Sequence, residues 1–314
     1  MKITLLDSAT LAETPLAPFE SLGNFTHYPL TTPDQVLQHS AGANVLITNK
    51  VKLNRESMRM LPDLKLICVA ATGTNNIDLN AAKELGIAVT NVAGYSTPSV
   101  IQHTFTLITN LLGQTHRYAA DCKQGLWQKS QMFCRLDYSI NEIAGKTLAI
   151  IGHGALGEGV ANVARAFGAN VIVSERKNSS PREGRVEFYQ AIKTADIISI
   201  HCPLNDDTLN LIGTEELMMM KPNALLINTA RGGIVNEAQL CEALENNVIA
   251  GAGFDVLTNE PAQSTNPLAN YNKDNLILTP HIAWASKESI IRLVNEICLN
   301  INAYRENEHR NRLV

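Results

Sequence analysis

Three side chains with complementary chemistry each follow a short apolar run of the kind that forms a strand: Arg231 in INTARGGIVNE, Glu260 in FDVLTNEP and His281 in LTPHIAWAS. An imidazolium can give a proton to a carbonyl oxygen as its carbon is reduced, and a carboxylate can hold and stabilise the charged ring. A guanidinium can bind a substrate carboxylate and polarise the ketone. Such a set suits the reversible reduction of a 2-keto acid. Each residue alone reads as an ion pair or a satisfied histidine, but at three successive strand ends they point to one site.

A reduction needs a hydride donor, and IGHGALGEG, starting at Ile151, is a candidate to hold one. Gly152, Gly154 and Gly157 form a G-x-G-x-x-G pattern that follows the apolar run TLAII and opens the helical run EGVANVARAFG. In that setting the first glycine permits a tight turn, the second admits a pyrophosphate to the backbone, and the third lets helix lie close to strand. The helix N-terminus then offers unpaired N–H groups to the anion. Gly152, Gly154, Ala155, Leu156 and Gly157 are therefore the candidate cofactor-binding loop. Glu175 ends the next run, NVIVSE, roughly twenty residues on, where a carboxylate is expected to accept hydrogen bonds from a ribose and repel a 2′-phosphate. NAD is the expected cofactor. Arg176 and Lys177 follow at once and read either as solvated charges or as phosphate partners.

These residues need a scaffold, and the chain alternates strand-length apolar runs with helical patterns. KITLLD, NVLITN, KLICVAA and IAVTNV read as buried strands of a first βα series, with helices such as DLNAAKELG stopped by Gly86. SVIQHTFTLITNLLGQTHRYAADC is too long a helical stretch for a connector within one sheet and marks the crossing into a second domain. KTLAIIG, ANVIVSE, ADIISIH, NALLINTA, IAGAGFDV and NLILTPH form a second series of near-continuous apolar strands, as in a sheet covered by helices on both faces. The fold class expected is α/β with doubly wound parallel sheets. The last helical stretch carries Ile290, Ile291, Val294, Ile297 and Ile301 at helical spacing and should pack back on other helices.

Composition excludes other classes. The chain has 314 residues, 45% hydrophobic and 18% charged, with a net charge of -4, and no dense Lys/Arg run interleaved with aromatics. Nucleic acid is not expected as a partner. The apolar run in MKITLLDSAT meets Asp7 too early for a signal-peptide core, and no later run approaches a membrane span, so a cytosolic protein without a membrane partner is expected. The six cysteines, Cys68, Cys122, Cys134, Cys202, Cys241 and Cys298, lack metal-ligand spacing. They read as reduced thiols, and no metal is expected. His153 and His201 read as packing or hydrogen-bonding histidines, and Trp284 as core or as an apolar pocket wall.

The blocks ATGTNNIDL, GYSTPSVIQHTF, the glycine loop with its helix, ADIISIHCPLNDDTLNLI, MKPNALLINTARGGIVNEAQLCEAL, GAGFDVLTNEP and TPHIAWAS occur in order along the chain. Together they resemble the D-isomer-specific 2-hydroxyacid dehydrogenases, and TGTNNID with HIAWAS most resembles the glycerate dehydrogenase, or hydroxypyruvate reductase, branch. The resemblance implies that Arg231, Glu260 and His281 are catalytic, and that Asp255 contacts the nicotinamide carboxamide. Cys202, Pro203, Leu204 and Ala230 would wall the nicotinamide end, while Thr72, Gly73 and Lys50 would meet the substrate. It implies a Rossmann cofactor domain (100–284) inserted in a flavodoxin-like substrate domain (1–99 plus 285–314), catalysis in the cleft between them, and a homodimer. Hydroxypyruvate reduction with NADH is the expected activity; glyoxylate or broader 2-keto acid reduction, or an NAD-sensing corepressor-like role, are the alternatives. Asn236, Phe254 and Ile101 stand where the family more often has aspartate, leucine and a small residue.

Overall fold

The computed structural model describes residues 1–314 and divides into two compact units, one comprising 1–96 and 285–314, the other 97–284. Each is built on its own parallel sheet.

In the first unit the strands are β1 (Lys2–Leu5), β2 (Asn24–His27), β3 (Val45–Thr48), β4 (Leu66–Val69) and β5 (Ala88–Thr90). They pair in the order β2-β1-β3-β4-β5, the flavodoxin-like order, and every pairing is parallel. β3, β4 and β5 are buried at every residue, because helices cover both faces. Their side chains join Leu6, Leu53, Ile77 and Ile87 in one core. The helix Lys287–Arg305 returns the chain to this unit. Ser286 caps it by accepting from the Ser289 N–H, and Arg292 Nε donates to the Tyr95 carbonyl at 2.8 Å. Ile290, Val294, Ile297 and Ile301 are buried on it as expected, but Ile291 is 40% exposed and Leu293 takes the inward place.

The second unit contains β6 (Thr147–Ile151), β7 (Asn170–Ser174), β8 (Ile197–Ile200), β9 (Leu225–Asn228), β10 (Gly251–Phe254) and β11 (Leu276–Leu278). Their order is β11-β10-β9-β8-β6-β7, again wholly parallel. The chain winds outward in opposite directions from β6, so the topological switch point, where open α/β sheets bind ligands, lies between β6 and β8. The fold is therefore α/β with two doubly wound parallel sheets. The long stretch read as one helix is two, Thr97–Gly113 and Thr115–Lys123, broken at Gln114, whose backbone is left-handed (φ 52°). Leu107, Ile108 and Leu111 of the first helix pack into the core made by Leu148, Ile150, Val160, Leu225 and Ile227. Burial of each such side chain stabilises by about 1.5–3 kcal/mol.

Candidate active site

All six strands of the second sheet run parallel, so their C-terminal ends share one edge. That edge carries, across the sheet, His281 beyond β11, Glu260 beyond β10, Arg231 beyond β9, Cys202 beyond β8, the glycine loop beyond β6 and Glu175 beyond β7.

The glycine loop is built as its spacing requires. Gly152 has φ +94°, and a Cβ there would sit 2.5 Å from the Cys202 backbone nitrogen. A Cβ on Gly157 would overlap the Gly152 carbonyl oxygen at 2.1 Å, so helix and strand touch through bare backbone. Gly154 differs: a Cβ there would meet nothing within 4 Å. It is the N-cap of the helix Ala155–Ala166 and no side chain caps that helix, so its first-turn N–H groups border open space. The residues present fit a pyrophosphate, which the backbone of Gly154, Ala155 and Leu156 and the positive end of the helix dipole would hold.

Beyond β8, His201 N–H donates to the Ile151 carbonyl at 2.7 Å, tying this strand end to the glycine loop. Its ring Nε2 is 2.8 Å from Ser199 Oγ, while Nδ1 is buried without a partner. Burial pushes the imidazole down to about 4, so it is neutral in the native state. The unfolded chain takes up this proton as pH falls through the ordinary histidine range, near 6.5, and the folded chain does so only near 4. Stability conferred by the neutral ring is thus complete above about 6.5 and declines by about 3 kcal/mol as pH falls from there to about 4. Urea unfolding at pH 7 and pH 4.5 should show a smaller loss in His201→Asn than in the wild type. Equal losses would remove His201 as the cause.

The His281 loop is held from beneath by a buried carboxylate. Asp255, 1% exposed, accepts from Thr279 Oγ1 at 2.6 Å, Ile282 N–H at 2.9 Å and Ala283 N–H at 2.8 Å. Ser99 Oγ donates to the Ala283 carbonyl at 2.6 Å, and His103 Nε2 lies 2.9 Å from Thr279 Oγ1. Between these anchors His281 is left-handed, with φ 55°. That conformation is uncommon outside glycine and, in a bordering loop, is a mark of function. His281 Nδ1 lies 2.6 Å from Glu260 Oε2, and Glu260 Oε1 accepts from the Leu257 N–H at 3.0 Å. The carboxylate is thereby oriented by backbone and in turn orients the ring, leaving Nε2 for a reacting oxygen. Arg231 is exposed on the end of the adjacent strand, its Nη1 donating to the Ala230 carbonyl at 2.6 Å.

Several residues unmarked in the sequence analysis hold this edge in place. Asn228, fully buried, donates from Nδ2 to the Arg231 carbonyl at 2.9 Å and accepts from the Ala230 N–H at 3.0 Å. Glu237 Oε1 accepts from the Thr258 N–H at 2.6 Å and Oγ1 at 2.7 Å, and its Oε2 accepts from Asn266 Nδ2 at 2.6 Å. Gly232 lies so close to the next loop that a Cβ would stand 1.9 Å from the Leu257 carbonyl carbon. The one available signal was the second glycine-bearing turn, RGG, directly after the candidate arginine.

Glu175 departs from its expected surroundings. It stands one residue past the end of β7, is 3% exposed, and its carboxylate is engaged by Arg182 rather than open to a ribose. In the first unit, Lys50 is exposed just beyond β3, and its N–H donates at 2.7 Å to Asp7, a buried carboxylate that also accepts from the Asn49 N–H. Thr72 follows β4, its hydroxyl donating to the Val92 carbonyl at 3.0 Å and its carbonyl accepting from Asn91 Nδ2 at 2.7 Å; Gly73 comes next.

An imidazole paired to a carboxylate, with a guanidinium on the next strand and a dinucleotide cradle at the switch point, defines a nicotinamide-dependent oxidoreductase. Comparison with known proteins specifies the class. Residues 105–283 match the D-isomer specific 2-hydroxyacid dehydrogenase, NAD binding domain family. The chain is 42% identical over 304 residues to a glycerate dehydrogenase of Methylorubrum extorquens, covering 96% of each protein. It is 33% identical over 313 residues to a hydroxypyruvate reductase of Blautia hydrogenotrophica, covering 97% of each. Among solved structures it is similar to an acyclic imino acid reductase in complex with NADPH and D-Arg, with a TM-score of 0.86, 29% identity and 100% of both chains covered. The chain belongs to the D-isomer specific 2-hydroxyacid dehydrogenase family. It is an NAD-dependent oxidoreductase of that family, and no helix is long and apolar enough to cross a membrane.

Proposed function

We propose that the chain reduces hydroxypyruvate to D-glycerate, reversibly, with His281 as the proton donor. The observation that carries the reading is the 2.6 Å contact of His281 Nδ1 with Glu260, which supports an oriented ring with Nε2 as the group that meets the substrate oxygen. NADH, when bound, supplies the hydride. Arg231 binds the substrate carboxylate and polarises the ketone, and Glu260 stabilises the imidazolium before it gives up its proton. The glycine loop and the 202–203 turn hold the dinucleotide. Asp255 has one further role proposed from the resemblance, contact with the nicotinamide carboxamide, beyond the loop it supports. Lys50, Thr72 and Gly73 are proposed as substrate contacts on the resemblance alone.

The names of the two relatives support hydroxypyruvate as the substrate. Initial rates of NADH oxidation with hydroxypyruvate, glyoxylate and pyruvate test this choice: kcat/KM should be at least tenfold higher for hydroxypyruvate. Glyoxylate as the best substrate would replace the assignment with a glyoxylate reductase. Failure of all three acids while NADH still binds would favour the NAD-sensing role.

The working form proposed is a homodimer in the cytosol. Trp127, Met132, Phe133, Leu136 and Ile140 all expose large apolar side chains in the segment after Lys123, Phe133 by 92%. Such a patch is the mark of a protein interface, and light scattering should give the mass of two 34.2 kDa chains. The six free cysteines accord with a reducing compartment.

A further inference from the structure

The end of the cofactor site beyond β7 carries an unexpected charge arrangement. A carboxylate offers about four acceptor positions, and all four on Glu175 are occupied. Oε1 accepts from Arg176 N–H at 2.9 Å and Arg182 Nη2 at 2.6 Å, while Oε2 accepts from Arg182 N–H at 3.2 Å and Arg182 Nε at 2.6 Å. Arg185 Nε stands 3.9 Å away on the same side. With the side chain 2% exposed, nothing is left to receive two ribose hydroxyls.

The pairing also removes the repulsion that a free carboxylate would exert on a phosphate. Segment 175–185 carries Glu175 and Glu183 against Arg176, Lys177, Arg182 and Arg185. Lys177 is spent on Glu216 at 2.7 Å, and Arg182 on Glu175. Arg176 is exposed and forms no ion pair. Asn178, Ser179 and Ser180 beside it are exposed and add neutral donors. The surroundings of the adenosine ribose are thus basic, with a cation to spare.

We infer that this end of the site takes the 2′-phosphate of NADPH as readily as the 2′-hydroxyl of NADH, Arg176 pairing with the phosphate and Arg182 cancelling Glu175. The inference rests on the dinucleotide site described above and deepens it. Arg182 acts through Glu175 and is a positioning residue. Arg176 would meet the phosphate directly, as guanidinium groups do at such sites.

Isothermal titration calorimetry of the full-length protein with NADH and with NADPH tests the assignment without turnover. The wild-type Kd values should lie within tenfold of each other. Arg176→Ala should raise the NADPH Kd about tenfold and move the NADH Kd by less than twofold. Arg182→Ala should shift the ratio at least tenfold toward NADH, and Glu175→Gln added to it should restore NADPH binding, because the freed carboxylate is what repels the phosphate. A wild-type preference for NADH of tenfold or more would overturn the inference, as would an Arg176→Ala variant that weakens both cofactors equally. Arg182→Ala losing both together would show a merely structural role and overturn it too. If the wild type binds neither cofactor, the dinucleotide reading itself falls; if it binds NADH alone, only this inference does.

Discussion

Replacing His281 with alanine should lower kcat for 2-keto acid reduction by about 10²- to 10⁴-fold, the range that a positioned general acid contributes, while the NADH Kd changes by less than twofold. The reasoning starts from the ring's two nitrogens. Nδ1 is committed to Glu260 at 2.6 Å, so in the proposed mechanism the proton that completes reduction leaves from Nε2. The cofactor cradle lies beyond β6, four strands across the sheet from β11, after which His281 stands, and its own backbone contacts do not pass through His281.

Alanine carries one complication, since His281 sits at φ 55° and a left-handed backbone costs an ordinary residue about 1–2 kcal/mol. Asparagine tolerates that conformation, so His281→Asn removes the relay and keeps the loop. The two variants should lose similar activity but differ in melting temperature, with the asparagine variant closer to wild type. Single-turnover reduction with preloaded NADH separates the chemical step from binding. A wild-type rate in His281→Asn would take His281 out of the mechanism, whereas loss of NADH binding in both variants would make the residue part of the cofactor site.

How much of this was legible in the sequence depended on the range of the interactions. All six strands of the second sheet stand out because their residues are largely apolar without alternation, and the four inner ones, β6, β8, β9 and β10, are covered on both faces. The first sheet's β2 was not read: Asn24–His27 is an edge strand, half-exposed and polar, and its pairing with β1 is a tertiary choice. The break at Gln114 was hidden because one left-handed residue leaves the apolar spacing on either side intact. Arg231, Glu260 and His281 were marked by their types and their places after strands, and they follow the neighbouring strands β9, β10 and β11. The residues that brace them were not, because Glu237 acts across loops far apart in the chain, on Thr258 and Asn266, and Asn228 acts on the backbone of its own turn, which no spacing marks. Glu175 shows the same limit: its position was readable, but Arg182, seven residues along an irregular loop, decides what its oxygens can still accept.

Gly232→Ala should destabilise the protein by about 3 kcal/mol or more, beyond ordinary overpacking, and lower kcat/KM by at least tenfold. A Cβ at this position would stand 1.9 Å from the Leu257 carbonyl carbon, 2.0 Å from its oxygen and 2.3 Å from the Thr258 nitrogen. All three are backbone atoms, so no side chain can swing aside. The 257–260 loop cannot retreat cheaply either, since Glu237 grips Thr258 at both its N–H and its hydroxyl. One loop or the other must move. If Leu257 moves, its hydrogen bond to Glu260 Oε1 is lost, and with it the orientation of the carboxylate that holds His281. If the 231–232 turn moves, Arg231 is displaced from the brace supplied by Asn228. Either route misplaces a group of the proposed catalytic set, and displacement of about 1 Å can cost 10²-fold in rate. Gly154→Ala provides the contrast, because its Cβ would meet no protein atom within 4 Å. That variant should melt as the wild type does yet bind NADH at least tenfold more weakly, its methyl group standing where the pyrophosphate approaches. Thermal unfolding with cofactor titration on both variants distinguishes the two glycines. A Gly232→Ala protein with wild-type melting and kinetics would show that the two loops are not held together through this contact.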